Sequence, residues 1–229
     1  MKELIDCLTS DGQKFQLIIA ADNGGKTAAH FATACGNTHV LEAILKCTSR
    51  DRQLDLLTMQ TICAQTPLHL AAAGGYTETV NMILSAVSKD RMFQLITMQD
   101  KLGRTALHAA VEETNTDTLK ALLDSQSLSD INRILSIENV FGTSVIQLGA
   151  DRGKKDVSKL LSEYQQKAEN ADNERGMSVC ESVCALAFGM EPQQEPASAE
   201  TLRERESLLE LVHICSTTFL RFQNRQIEV

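Results

Sequence analysis

The chain has 229 residues, 43% of them hydrophobic and 23% charged, the balance of an ordinary folded protein and not of a disordered or fibrous one. Its formal charge is −8 with no long basic run, so the attraction that dominates nucleic-acid and anionic-membrane affinity is missing and neither is expected as a partner. No apolar window reaches bilayer length, and seven cysteines without framework spacing read as reduced thiols of an intracellular protein, placed in the cytoplasm with the nucleus as the alternative.

Aromatic residues are scarce, with no Trp and two Tyr, which suits thin layers of Ala and Leu better than one thick core. A fixed period agrees with this. Thr27, Thr66, Thr105 and Ser144 stand 39 residues apart and open related strings, TAAHFATACGN, TPLHLAAAGGY, TALHAAVEETN and SVIQLGADRGK. Turn-forming residues precede each opening, with Gly25, Ala64, Gly103 and Gly142 two positions before it and Asp22, Thr61, Asp100 and Asn139 five before.

In chain order, residues 1–21 form a truncated half repeat, because MKELIDCLTS corresponds to VLEAILKCTS at 40–49. The chain therefore starts in mid-repeat, either as a fragment of a longer array, which is the preferred reading, or with the half repeat as its cap. Residues 22–60, 61–99 and 100–138 are complete units. In each, a first helix follows the opening Thr, and Thr38, Thr77 and Thr116 are the expected N-caps of a second. The buried stripe of the second helix contains Ile44 and Leu45, Ile83 and Leu84, Leu122 and Leu123. Gly36, Gly75 and Gly153 fit the left-handed residue between the two helices, while Thr114 in the third unit makes that turn strained or differently shaped. Ser10, Ser49, Ser88 and Ser127 open one short extra helix per unit, carrying Phe15 and Ile18, Leu54 and Leu57, Phe93 and Ile96.

The fourth unit, 139–165, drifts from the pattern at Val145, Ile146, Gln147 and Gly149 and gains Lys154, Lys155, Asp156 and Lys159, as a capping repeat should. Residues 166–200, with Pro192 and Pro196, read as a polar linker, and 201–225 as an amphipathic helix.

The string Thr66, Pro67, Leu68, His69, Leu70, Ala71, Ala72 with Gly75, together with Asp100, Gly103 and Thr105, resembles the ankyrin-repeat family over about residues 22–163. A usual unit of that family has about 33 residues, and the extra helix accounts for the excess. The resemblance implies an all-α fold, an ankyrin-type α-solenoid of about four stacked helix-turn-helix repeats with an extra short helix per repeat and a C-terminal helical extension. It also implies a protein-binding module, a scaffold or adaptor, and not an enzyme. No cofactor, metal or small-molecule substrate is expected. His30, His69 and His108 recur one repeat apart, with Gln147 in the fourth place, so they read as equivalent structural positions; rungs about 10 Å apart are too distant to share a metal. His69 is expected to join hydrogen bonds linking adjacent loops. Cys180 and Cys184 lack two further ligands in any known arrangement and read as plain thiols.

By the resemblance, partner contacts come from the residues flanking the turn glycine and from first-helix ends. These are Asn23, Gly24 and Lys26; Ile62, Cys63 and Gln65; Lys101, Leu102 and Arg104; Val140, Phe141 and Thr143; and, at helix ends, Cys35, Gly74, Glu113 and Arg152. Ile62, Leu102, Val140 and Phe141 either align as an exposed apolar stripe or are buried by loops that fold back. Two other functions compete. Leu211, Cys215 and Phe219 have a spacing similar to the elongin-binding helix of SOCS-box substrate receptors of ubiquitin ligases, although Glu210 departs from that pattern. The truncated first repeat fits a regulatory segment of a larger enzyme.

Overall fold

Helices of seven to ten residues do not persist alone in water, so what each one buries decides the fold. The computed structural model describes residues 11–151 and 153–188, and the chain divides into two units, Met1–Ala171 and Asp172–Val229. In the first unit, α1 (Asp11–Ile19) is followed by three triplets. They are α2 (Ala28–Ala34), α3 (Thr38–Lys46) and α4 (Arg50–Thr58); α5 (Pro67–Ala73), α6 (Thr77–Ala86) and α7 (Lys89–Thr97); and α8 (Ala106–Glu112), α9 (Thr116–Asp124) and α10 (Leu128–Leu135). Two further helices follow, α11 (Val145–Asp151) and α12 (Lys155–Phe188). Among the described residues there is no strand, only an isolated β-bridge between Glu138 and Ser144.

First helices stack in the order α2, α5, α8, α11, and second helices in the order α3, α6, α9. The extra helices form a third layer, in which α4 packs on α5 and α6, and α10 on α7. Each layer is thin for a reason written in its residues. Ala29, Ala32, Ala71, Ala72, Ala106 and Ala110 are buried between first helices, where a larger side chain would hold neighbours apart. Leu41 and Ile44, Val80 and Ile83, Leu119 and Leu122 fill the second layer, and Leu56 and Leu57, Leu95 and Ile96, Ile134 and Leu135 the third. A fully buried Leu or Ile contributes about 1.5–3 kcal/mol. Only neighbouring units can keep these side chains from water, which is the energetics of a solenoid.

The threonines expected to cap the second helices do something else. Asn37 and Asn115 are the N-caps, accepting from the N–H of Val40 at 3.2 Å and of Thr118 at 3.1 Å, while Tyr76 takes that place in the second unit without a side-chain cap. Thr38 and Thr77 are the first helical residues, and their hydroxyls reach across to the next unit, Thr38 to Thr79 at 3.1 Å and Thr77 to Thr118 at 2.9 Å. Ser49, Ser88 and Ser127 do stand at N-cap positions, their carbonyls receiving the first helical N–H groups.

Left-handed backbone recurs at two places per unit. Between the first two helices lie Gly36 (φ 63), Gly75 (φ 67), Thr114 (φ 62) and Gly153 (φ 62). Thr114 thus keeps the conformation of the equivalent glycines in spite of its branched Cβ, and the Lys154 ammonium holds the turn by donating to Thr114 Oγ1 at 3.0 Å and to the Glu112 carbonyl at 2.7 Å. In the loops before the first helices, Gly25, Gly103 and Gly142 have positive φ, and so does Ala64 (φ 58). An alanine there carries about 1–2 kcal/mol of strain, of which the lost backbone entropy of a glycine returns about 0.5–1. Ala64→Gly is therefore expected to stabilise the protein by about 0.5–1 kcal/mol, read as a higher urea midpoint at unchanged m-value.

Residues 166–188, expected as linker, are helical and continue α12. Its first part, QKAENADNER, is rich in residues at ease in a helix, and position 166 carries Gln where an N-cap Ser opens the extra helix of earlier units, so no new helix starts there. Tyr164 of α12 donates its hydroxyl to Asp124 of α9; burial first, and then the Asp124 carboxylate, push its pKa up to about 12. Residues 1–10 with Ser10, the remaining linker 189–200 and the helix 201–225, with Leu211, Cys215 and Phe219, lie outside the described residues.

Candidate protein-binding face

The four loops before the first helices are built alike. In each, one side-chain oxygen accepts two backbone N–H groups: Asp22 Oδ1 from Gly24 and Lys26, both at 2.8 Å, and Asp100 Oδ1 from Leu102 and Arg104, both at 2.9 Å. Thr61 Oγ1 accepts from Cys63 and Gln65 at 3.3 and 3.2 Å, and Asn139 Oδ1 from Phe141 and Thr143 at 2.9 and 3.1 Å. These bonds fix each loop tip without help from its outward side chains. Adjacent tips then bond to one another, the N–H of Ile62 to the Gly24 carbonyl at 2.9 Å, of Lys101 to Cys63 at 3.0 Å and of Val140 to Leu102 at 3.0 Å.

The histidines lock this row to the helices. His30 Nε2 meets the Met59 and Gln65 carbonyls at 3.1 Å, His69 Nε2 the Arg104 carbonyl at 2.9 Å and His108 Nε2 the Thr143 carbonyl at 3.2 Å. A carbonyl only accepts, so Nε2 carries the proton and Nδ1 is left to accept. It does so from the backbone N–H of Thr27, Thr66 and Thr105 at 3.1, 3.3 and 3.2 Å. Both ring nitrogens are used, each ring joining its own helix start to the next unit's loop. Burial lowers the pKa of all three rings, outweighing the carbonyls that favour a proton. Gln147 repeats half of the device, with Oε1 accepting from the Ser144 N–H at 3.0 Å.

With the tips held from within, their side chains face water. Ile62 is 61% exposed, Leu102 43%, Val140 60% and Phe141 76%, so the loops do not fold back over them. Since 62 bonds to 24, 101 to 63 and 140 to 102, Ile62, Cys63, Leu102, Val140 and Phe141 fall in one row across the second to fourth units. Asn23, Lys26 and Lys101 are exposed on the same row. Glu113 and Cys35 are exposed at the ends of α8 and α2, and Gly74 at the end of α5. Gln65 and Thr143 are half-buried, their carbonyls taken by His30 and His108. Arg152 lies outside the described residues.

Arg104 is placed differently from expectation. Its guanidinium is turned inward, with Nε and Nη2 on Asp100 Oδ2 at 3.0 and 2.8 Å and Nη1 on Glu112 Oε2 at 2.7 Å. Burial raises the Asp100 carboxyl, but the hydrogen bonds and charge of Arg104 outweigh it and hold that group below the usual carboxylate range. Arg104 braces the third loop from within. Conversely, Phe31 was not anticipated: it is 49% exposed on α2, four residues after the opening Thr27, with the Lys26 ammonium 5.8 Å from its ring centre. Its register was readable, since Ala32 and Thr33 beside it are buried and Phe31 falls on the other face.

Among the described residues no three His, Cys, Asp or Glu side chains are grouped to hold a metal ion, and no helix is long and apolar enough to cross a membrane. A family model described as ankyrin repeats (3 copies) matches residues 1–92 and 52–134, together more than half of the chain. No curated protein matches it.

Proposed function

The chain belongs to the ankyrin-repeat family, whose members are generally protein-protein interaction modules, and from that premise we propose that it is a scaffold or adaptor that docks a partner protein on its row of loop tips. The observation that carries this reading is the run of large apolar side chains, Ile62, Leu102, Val140 and Phe141, held out into water by loops whose polar groups are satisfied internally. Apolar anchors on a rigid backbone are what a hot spot requires. The reading includes no catalytic role, because the three buried histidines are consumed by backbone partners. Free thiols at Cys35 and Cys63, both exposed, support a reducing compartment such as the cytoplasm.

Leu102→Asp with Phe141→Asp is expected to abolish capture of the partner while leaving the helical circular dichroism unchanged, since both side chains are exposed and outside helices. Each burial lost is worth about 1.5–3 kcal/mol, and a buried carboxylate adds its own penalty. Undiminished capture by the double variant contradicts the proposal, as does unfolding, which would assign the two residues to the core.

A further inference from the structure

We propose that the layer of second helices holds a further docking site, two grooves in register that take tyrosine side chains from one amphipathic helix of a partner protein. The chain supplies its own example of what fits. Between the third and fourth units, Tyr164 of α12 is only 6% exposed and donates its hydroxyl across to Asp124 of α9. The residue 39 positions earlier is Ser125, and 39 before that is Ala86. Neither side chain is long enough to span to the preceding second helix, and at each place a groove opens. One is lined by Leu45, Met82 and Ala86 among others, and the next, of about 450 Å³, by Leu84, Ala121 and Ser125, the same positions one repeat on. No residue of the loop row lines either groove, so the site is separate from the docking row.

Tyr164 fixes the chemistry of the occupant, because the position it fills is the one left open in the earlier units. A ring covers the buried Leu45 and Leu84 at the floor, and a hydroxyl meets the polar rim. The rim of the larger groove carries both signs, Asp117 and Asp124 beside Lys120. A neutral phenol both donates and accepts, so it suits such a rim, where a carboxylate or an ammonium would meet like charge. The two grooves lie one unit apart, about 8–10 Å. Residues seven apart on an α-helix lie about 10 Å apart on nearly one face. A single helix laid across α3, α6 and α9 therefore sets tyrosines at i and i+7 into both grooves. An adaptor joins two proteins, and this surface serves the second of them.

The test uses two synthetic alanine-rich helices carrying a fluorophore, one with Tyr at positions i and i+7 and the other with Ala at both. Each is titrated by anisotropy against the wild type, Ala86→Tyr with Ser125→Tyr, and Leu102→Asp with Phe141→Asp. The tyrosine helix should bind the wild type about tenfold more tightly than the alanine helix. The groove-filling variant, whose own rings take the recesses as Tyr164 does, should abolish that advantage, and the loop-row variant should keep it. Equal binding of the two helices, or an advantage that survives groove filling, overturns the inference and leaves the loop-row docking reading standing. An advantage lost with the loop-row variant places the helix on the loops and overturns the inference as well. Should the groove-filling variant unfold, p-cresol titrated into the isotope-labelled wild type decides. Amide shifts centred on 82–86 and 121–125 support the site, and shifts elsewhere or none overturn it.

Discussion

Gly36→Ala is expected to cost about 3 kcal/mol, a large part of the 5–15 kcal/mol that holds a typical domain folded. Two effects add. Gly36 has φ 63, where an alanine costs about 0.5–1 kcal/mol net of the backbone entropy of glycine. Its Cβ would also overlap the Tyr76 ring of the next unit, with Cε1 and Cγ at 2.7 Å. The ring has no free side to move toward, because a Cβ on Gly74 would meet its other edge, with Cζ at 3.0 Å. Overpacking of this kind costs about 1–3 kcal/mol. Gly153→Ala is the control, with φ 62 but nothing within 4 Å of its Cβ, so only the strain remains, about 0.5–1 kcal/mol once the backbone entropy of glycine is set against it. Urea unfolding of both variants separates the terms. Equal losses would show that Tyr76 is not pinned between the units.

Acid is expected to destabilise the protein steeply below the ordinary histidine range. His30, His69 and His108 have folded-state pKa values lowered, first by burial, from an unfolded value of 6.5. Above 6.5 all three are neutral in both states and their contribution is complete. As pH falls through 6.5 the unfolded chain takes up protons that the folded one refuses, and stability declines until the lowered folded values are passed. Each ring adds a slope of up to about 1.4 kcal/mol per pH unit, so three give up to about 4. Protonation also removes the Nδ1 lone pair that accepts from Thr27, Thr66 and Thr105, so the loss falls on the bonds that tie each loop row to its helix. His69→Gln, copying Gln147 of the fourth unit, is expected to reduce the slope by about a third, measured by thermal unfolding between pH 7 and 5. A slope unchanged by that substitution would place the acid sensitivity elsewhere.

The repeat was legible because its side chains must solve the same problem every 39 residues. Alanines that thin the first layer, a histidine reaching the next carbonyl in three units and a left-handed residue after each first helix, glycine in all but the third, recur at that interval, so a period in sequence is a period in contacts. What escaped was detail that depends on partners far along the chain. Thr38 and Thr77 look like caps by local preference, but Asn37 caps the first of these helices and the hydroxyls are needed 41 residues away. Arg104 occupies a contact position by register, yet the buried Asp100 and the nearby Glu112 claim its guanidinium. The helix over 166–188 was hidden because its opening stretch, QKAENADNER, is as polar as a linker, although Gln, Lys, Ala and Glu sit well in a helix. At the docking face, Ile62, Leu102, Val140 and Phe141 were visible as apolar residues in loops, but only the backbone bonds between tips reveal that they share one row.

Amide hydrogen exchange of the intact chain, with and without a bound partner, tests most directly whether stacked units present one continuous docking row. Slowed exchange across 61–65, 100–104 and 139–143 together, with α4, α7 and α10 unchanged, is the predicted result. Protection confined to α4, α7 and α10 would contradict it.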